Sequence, residues 1–256
     1  MTWLQSIRRS LDLAPLQVEV FFRDDDAGWD DSRLTSLLDL FAAHRTPLDV
    51  AVIPAEISGT MAVELRRRYL RMPARLGLHQ HGWRHENHER VGRKYEFGPS
   101  RGPAMQLVDI LAGNRRLEEK FDTQLDPIFT PPWNRCSQET VDQLNGLGFH
   151  ALSRDRSATQ LKLGPLHELA VGIDWAGLWR PPSDASAIAQ KFGDLVNHGD
   201  AIGIMLHHAT MDDVQRAALG ELLALLATHS NVSCHLMRDL IARGDEQQLV
   251  HVGAGA

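Results

Sequence analysis

Five clusters of polar residues each follow a short apolar run in this chain, and that repeated placement constrains the fold more than any other feature. The clusters are Asp24 to Asp26, the histidines between His79 and His88, Pro131 to Trp133, Asp174-Trp175 and His207-His208. The first run, Val18-Glu19-Val20-Phe21-Phe22, is β-branched and aromatic, so it reads as a strand that stops in a carboxylate-rich turn, Arg23-Asp24-Asp25-Asp26-Ala27-Gly28. Asp31 or Ser32 then caps a helix in which Leu34, Leu37, Leu38 and Phe41 recur at helical spacing, and Thr46-Pro47 breaks it. Further strands are expected over residues 48–53, 76–78, 127–129, 149–152, 166–173, 201–206 and 232–235. Helices are expected between them over residues 60–72, 103–121, 137–147, 184–198 and 211–228.

Strands that alternate with helices predict an α/β fold with a mainly parallel sheet and helices outside it, either doubly wound or closed into a barrel. All five polar clusters fall at the C-terminal ends of predicted strands. In a barrel those ends meet on one face, where barrel enzymes carry their active sites. No glycine-rich phosphate loop follows the first strand, which argues against the dinucleotide-binding alternative. The stretch from 86 to 102 is polar and irregular, and it is expected to form a long surface loop over that face.

With 256 residues, the chain suits one catalytic domain spanning 1–256, with its core over about 18–240. A net charge of −6 leaves no electrostatic footprint for nucleic acid or an anionic membrane. Cys136 and Cys234 lie far apart without metal-type spacing and read as free thiols. Residues 1–14 lack the apolar segment of an export signal, and no run approaches the ~20 apolar residues of a membrane span, so a cytoplasmic location is expected.

His81 and His85 place two imidazoles four residues apart, a spacing that can close on one divalent metal or belong to a histidine-rich surface loop with adventitious affinity. Each cluster taken singly has a plainer reading. Consecutive aspartates often mark a solvated turn. His207-His208 would also suit a packed strand end, and Asp174-Trp175 or Pro131-Pro132-Trp133 a turn or core. What changes the reading is their joint occurrence, in a set order, along one α/β chain.

In that order and spacing the chain from about Val18 to Leu240 resembles the polysaccharide deacetylases, carbohydrate esterase family 4. The resemblance implies a distorted (β/α) barrel of about seven parallel strands. It implies that Asp25 is the catalytic base and that Asp26, His81 and His85 bind a divalent metal, zinc first, with cobalt or nickel also accepted. Phe129-Thr130-Pro131-Pro132-Trp133 resembles the third motif, Asp174-Trp175 the fourth and Leu206-His207 the fifth, whose histidine serves as acid. Pro132, Trp133, Asp174 and Trp175 would then line the substrate site, with the two tryptophans walling the acyl group and Asp174 orienting His207. The implied partner is an N-acetylated sugar or oligosaccharide, from which an N-acetyl or O-acetyl group is removed.

Two positions depart from the family's pattern. Gly82 stands where a serine or threonine is usual, and Thr130 where an arginine orients the base; Arg23, Arg135 and Arg180 are the arginines available to replace it. The run Arg23-Asp24-Asp25-Asp26 also leaves Asp24 as a second candidate for the base, and His208 stands beside His207 as a candidate acid. Two rival functions accompany this reading: a silent carbohydrate- or metal-binding relative, and a barrel amidohydrolase acting on small amides or ureides.

Overall fold

A computed structural model of the chain describes residues 2–179 and 185–244. Nine strands lie in one sheet: β1 (Val18–Ala27), β2 (Leu48–Val52), β3 (Leu76–His81), β4 (Ile128–Thr130), β5 (Ala151–Leu152), β6 (His167–Glu168), β7 (Val171–Asp174), β8 (Ile202–Leu206) and β9 (Val232–His235). Their order is β6-β5-β4-β3-β2-β1-β8-β7, with β9 added beside β1, and every pairing among the described residues is parallel.

The sheet closes on itself through one extended segment. Its first part, β6, pairs with β5, and its second part, β7, pairs with β8. Val171 also bridges Asp155 just beyond β5, donating to the carbonyl of Arg154 at 2.8 Å. Counting β6 and β7 as one bent strand, seven positions form the ring, the distorted barrel expected from the resemblance. β9 is the irregularity. Because β8 already occupies one edge of β1 at Val20 and Phe21, β9 must share the other edge with β2, pairing Val18 to Phe21 below the point where β2 takes over at Arg23.

Helices α1 (Trp3–Leu13), α2 (Asp31–His44), α3 (Gly59–Arg71), α4 (Pro103–Phe121), α5 (Gln138–Gly146), α6 (Trp175–Leu178), α7 (Ser186–Val196) and α8 (Asp213–Thr228) surround the ring. Alternation along β1 sorts the core. Val20 and Phe22 join Leu34, Leu37, Leu219 and Leu222 of the helical layer, while Phe21 meets Ile128, Ala151, Val171 and Met205 inside the ring. Each fully buried Val, Leu, Ile, Phe or Met side chain among these contributes ~1.5–3 kcal/mol.

Three features differ from expectation. The cap of α2 is Asp30, one residue earlier than expected, and its carboxylate accepts the Arg33 N–H at 3.1 Å. An amphipathic α1 precedes β1, closed by a Thr2–Gln5 capping box, and buries Ile7 and Leu11 against the main core. β1 and β3 run on through Arg23–Ala27 and His79–His81 instead of stopping before them. Neighbouring strands still supply backbone partners there, and the polar side chains find buried partners of their own. No helix among the described residues is long and apolar enough to cross a membrane.

Candidate metal centre and active site

The three predicted ligands converge at the C-terminal end of the barrel. Asp26 ends β1 in a bulge: the register to β2 shifts between Asp24 and Ala27, and Asp26 takes a left-handed φ of 70°. That turn aims its Oδ1 at two imidazoles, with His81 Nε2 and His85 Nε2 each 3.2 Å away. One ligand atom from each residue lies within 4.8 Å of the others. Ligand atoms roughly 2.0–2.2 Å from one tetrahedral centre stand about 3.3–3.6 Å apart, so this donor set fits a divalent ion of the zinc type.

The surrounding groups orient these ligands. The His81 Nδ1–H donates to the Thr130 carbonyl at 3.0 Å, which fixes the ring so that Nε2 faces Asp26. Burial opposes ionisation of Asp26, but its hydrogen bond to His81 and the charges of the two histidines outweigh it and bring the carboxyl to about 2. Burial, with the neighbouring His81 charge, pulls His85 down to about 4, so its ring is neutral at pH 7 as a ligand requires. Trp29 and Trp133 flank that ring at centroid distances of 4.8 and 4.4 Å.

Sequence reading missed the residue that shapes the histidine loop. Glu96 is fully buried, and its carboxylate accepts the N–H of Trp83 at 3.1 Å and of Arg84 at 2.6 Å, between His81 and His85. The same contact explains Gly82, which has φ 56° and would drive a Cβ to 2.2 Å from Glu96 Oε2 and 2.6 Å from Pro132 Cδ. A serine or threonine has no room there. The segment 86–102 is thus not a pure surface loop, since Glu96 and Phe97 plug into the interior. No local pattern marks Glu96, because its partners lie 12 and 13 residues away.

The three arginines named for the missing motif arginine separate clearly. Arg23 grips Asp25 with two hydrogen bonds, Nε to Oδ1 at 2.8 Å and Nη2 to Oδ2 at 2.9 Å, a buried bidentate pair. Arg23 and Asp25 stand two apart on β1 and so share its inner face, above Phe21. Ser153 Oγ and Asn134 Oδ1, each at 2.7 Å, hold two more of the guanidinium N–H groups. Burial opposes ionisation of Asp25, yet the Arg23 charge and the nearby histidines hold its carboxyl below the ordinary value. Arg135 instead contacts the Lys94 carbonyl, and Arg180 lies outside the described residues. The Thr130 hydroxyl is hydrogen-bonded with His79 Nε2 at 2.9 Å.

Asp24 and His208, the alternative base and acid, bind each other. His208 Nδ1 lies 2.7 Å from Asp24 Oδ2, and Nε2 lies 2.6 Å from the Trp29 carbonyl. Both partners are acceptors, so the ring carries two N–H groups. Burial works against that charge, but Asp24 overrides it and lifts His208 to about 9.

His207 lines a cleft of about 420 Å³ together with Asp25, Asp26, His81, His85 and Trp133. An adjoining cleft of about 380 Å³ shares Trp133, Asn134 and His207. Trp133 adopts φ 56°, a costly conformation for a bulky residue that turns its ring over His85. Asp174 lines the second cleft, but its Oδ1 caps α6 through the Gly177 N–H at 2.9 Å, and among the described residues it makes no hydrogen bond to His207. Two expected lining residues are elsewhere. Pro132 is buried beneath Gly82, and Trp175 is fully buried in the main core against Trp3 and Trp179, where the helical layer claims its ring.

No family model and no curated protein matches the sequence. Solved structures do match the fold. A putative polysaccharide deacetylase from Mycobacterium smegmatis superposes with a TM-score of 0.69 at 17% identity, over 91% of this chain and 92% of that one. A family 4 acetyl xylan esterase from Clostridium thermocellum, in complex with a cobalt ion, gives 0.56 at 15% identity over 88% and 90%. A carbohydrate esterase family 4 pseudoenzyme from Bacillus anthracis gives 0.54 at 13% identity over 89% and 66%. The class defined is therefore a parallel β/α barrel of the polysaccharide deacetylase fold, here with an Asp-His-His triad at its mouth.

Proposed function

We propose that the protein is a metal-dependent hydrolase that removes an acetyl group, N-linked or O-linked, from a sugar or oligosaccharide. One observation carries this reading: Asp26, His81 and His85 converge in the same cleft as an arginine-clamped Asp25 and a histidine, His207, that has no hydrogen bond from its ring among the described residues.

Amide or ester hydrolysis needs an activated water, a stabilised oxyanion and a proton for the leaving group. Asp26, His81 and His85 would hold the ion, with zinc the metal we favour, and when bound it acidifies water and polarises the acyl carbonyl. Asp25 takes the proton of the attacking water. Each of its oxygens accepts one N–H from Arg23 and keeps a further lone pair free, so the clamp orients the base without occupying it. His207 donates a proton to the departing sugar nitrogen or oxygen as the carbon–heteroatom bond breaks, yielding acetate and the free amine or alcohol. The Trp29 and Trp133 rings narrow the cleft around His85 and exclude bulk water from the acyl group.

Metal analysis and acetate release test this together. Asp25→Asn should keep the metal and lose at least ~10²-fold in kcat. His81→Ala and His85→Ala should lose both metal and turnover. Full activity in protein stripped of metal would overturn the reading. The fold match to a pseudoenzyme supports one alternative, a silent relative that binds sugar without releasing acetate, and the same assay separates the two.

A further inference from the structure

Three cations border the double cleft without a carboxylate partner. Lys94 lines the metal cleft, with its Nζ 5.8 Å from the centroid of the Trp133 ring. Arg93 and Arg135 line the adjoining cleft, and Arg135 Nη1 donates to the Lys94 carbonyl at 3.4 Å, so two of the three are held close together beside Trp133. Among the described residues none of the three enters an ion pair. The other cations nearby are spent: Arg23 on Asp25, and Arg154 on Glu168 and the Thr159 carbonyl. Two carboxylates also face the second cleft, Asp155, which accepts from the N–H and hydroxyl of Ser157, and Asp174, which accepts from the Gly177 N–H; both keep their charge, and the three cations outnumber them by one. This excess of positive charge stands on a chain whose net charge is −6, so it is not a by-product of a basic protein.

Together the two clefts offer about 420 and 380 Å³, far more room than an acetyl group fills. We propose that the substrate is an acylated sugar bearing an anionic group, a carboxylate or a phosphate, which Arg93, Lys94 and Arg135 receive beside Trp133 while the acyl group lies at the Asp26–His81–His85 centre. This inference rests on the hydrolase reading above. It adds the charge of the substrate, which neither the triad nor the fold specifies.

The experiment compares acetate release by the metal-loaded protein from N-acetylglucosamine, its 1-phosphate and its 6-carboxylate (uronic acid) counterpart. At low ionic strength kcat/KM should favour at least one anion over the neutral sugar by about tenfold or more. About 1 M salt should shrink that preference, because exposed charges are then screened. A Lys94→Gln/Arg135→Gln double variant should lower the anion-to-neutral ratio by about tenfold. The phosphate and carboxylate arms tell which anion is recognised. Equal kcat/KM for all three sugars, or an unchanged ratio in the double variant, would overturn the inference and leave the hydrolase intact. If none of the three sugars releases acetate, binding is read in place of turnover. Calorimetric titration of the same compounds then decides the charge preference, and neutral binding as tight as anionic binding would refute it.

Discussion

Three consecutive aspartates on β1 meet three different environments because the backbone keeps strand alternation through Asp25 and breaks it at Asp26. Asp24 faces the helical layer and pairs with His208; Asp25 faces the interior and pairs with Arg23; Asp26 turns on a left-handed bulge toward the histidines. Buried carboxylates at such density persist only if each is paired. Replacing Arg23 with Met should therefore destabilise the fold by ~3–5 kcal/mol, since Asp25 is left as an unpaired buried charge. Urea unfolding reads this loss, and the Arg23→Met/Asp25→Asn double variant should recover part of it. The Arg23 charge holds the Asp25 carboxyl below its ordinary value. Its removal should shift the acid limb of the kcat/KM profile to higher pH, and an unmoved limb would separate Asp25 from Arg23 in catalysis.

At the scale of elements, the loop after β3 is set by a residue remote from it in the chain. Glu96 reaches back from the 86–102 segment to two N–H groups between His81 and His85. Glu96→Gln keeps the shape but turns an amide NH₂ toward an N–H donor, so the metal dissociation constant should rise about 10- to 100-fold. Competition with a chromophoric chelator measures it; unchanged affinity would show that the loop holds itself. The Asp24–His208 pair ties β1 to the end of β8 and to the Trp29 turn. His208 is raised from 6.5 to about 9, so its contribution is complete below about 6.5 and disappears as pH rises through about 9. The thermal midpoint of the metal-free protein should decline over that window, and His208→Gln should flatten the decline.

For the whole molecule, the helical layer determines which tryptophans serve the site and which serve the core. Trp175 packs edge-on to Trp3 of α1 with centroids 6.2 Å apart, and Trp179 lies 5.9 Å away. Trp175→Ala should cost ~3–5 kcal/mol in unfolding free energy, through lost burial and the cavity left behind. A kinetic assay of the same variant should show an unaltered KM; a large rise in KM with little loss of stability would return Trp175 to the substrate site. Closure of the ring is also a property of the whole, since residues 167–174 must pair with β5 on one edge and β8 on the other.

The residues by themselves determined the alternation of strands and helices, the shared end at which the polar clusters gather, and the candidate ligands Asp26, His81 and His85. The first two follow from local periodicity and the histidine pair from its spacing, all properties of short stretches, while the choice of Asp26 rests on the resemblance of the ordered motifs to a known family. They also determined that Arg23, Arg135 and Arg180 were the available arginines, without choosing among them. That choice needed β1 to continue through its charged residues, which depends on partners supplied by β2 and β8. The polar ends of β1 and β3 look like loops because their side chains are hydrophilic, and only the tertiary fold buries and pairs them. Glu96, the separation of His207 from His208, and the burial of Trp175 were decided there too. Each depends on side chains far apart in sequence, whose meeting no local pattern encodes.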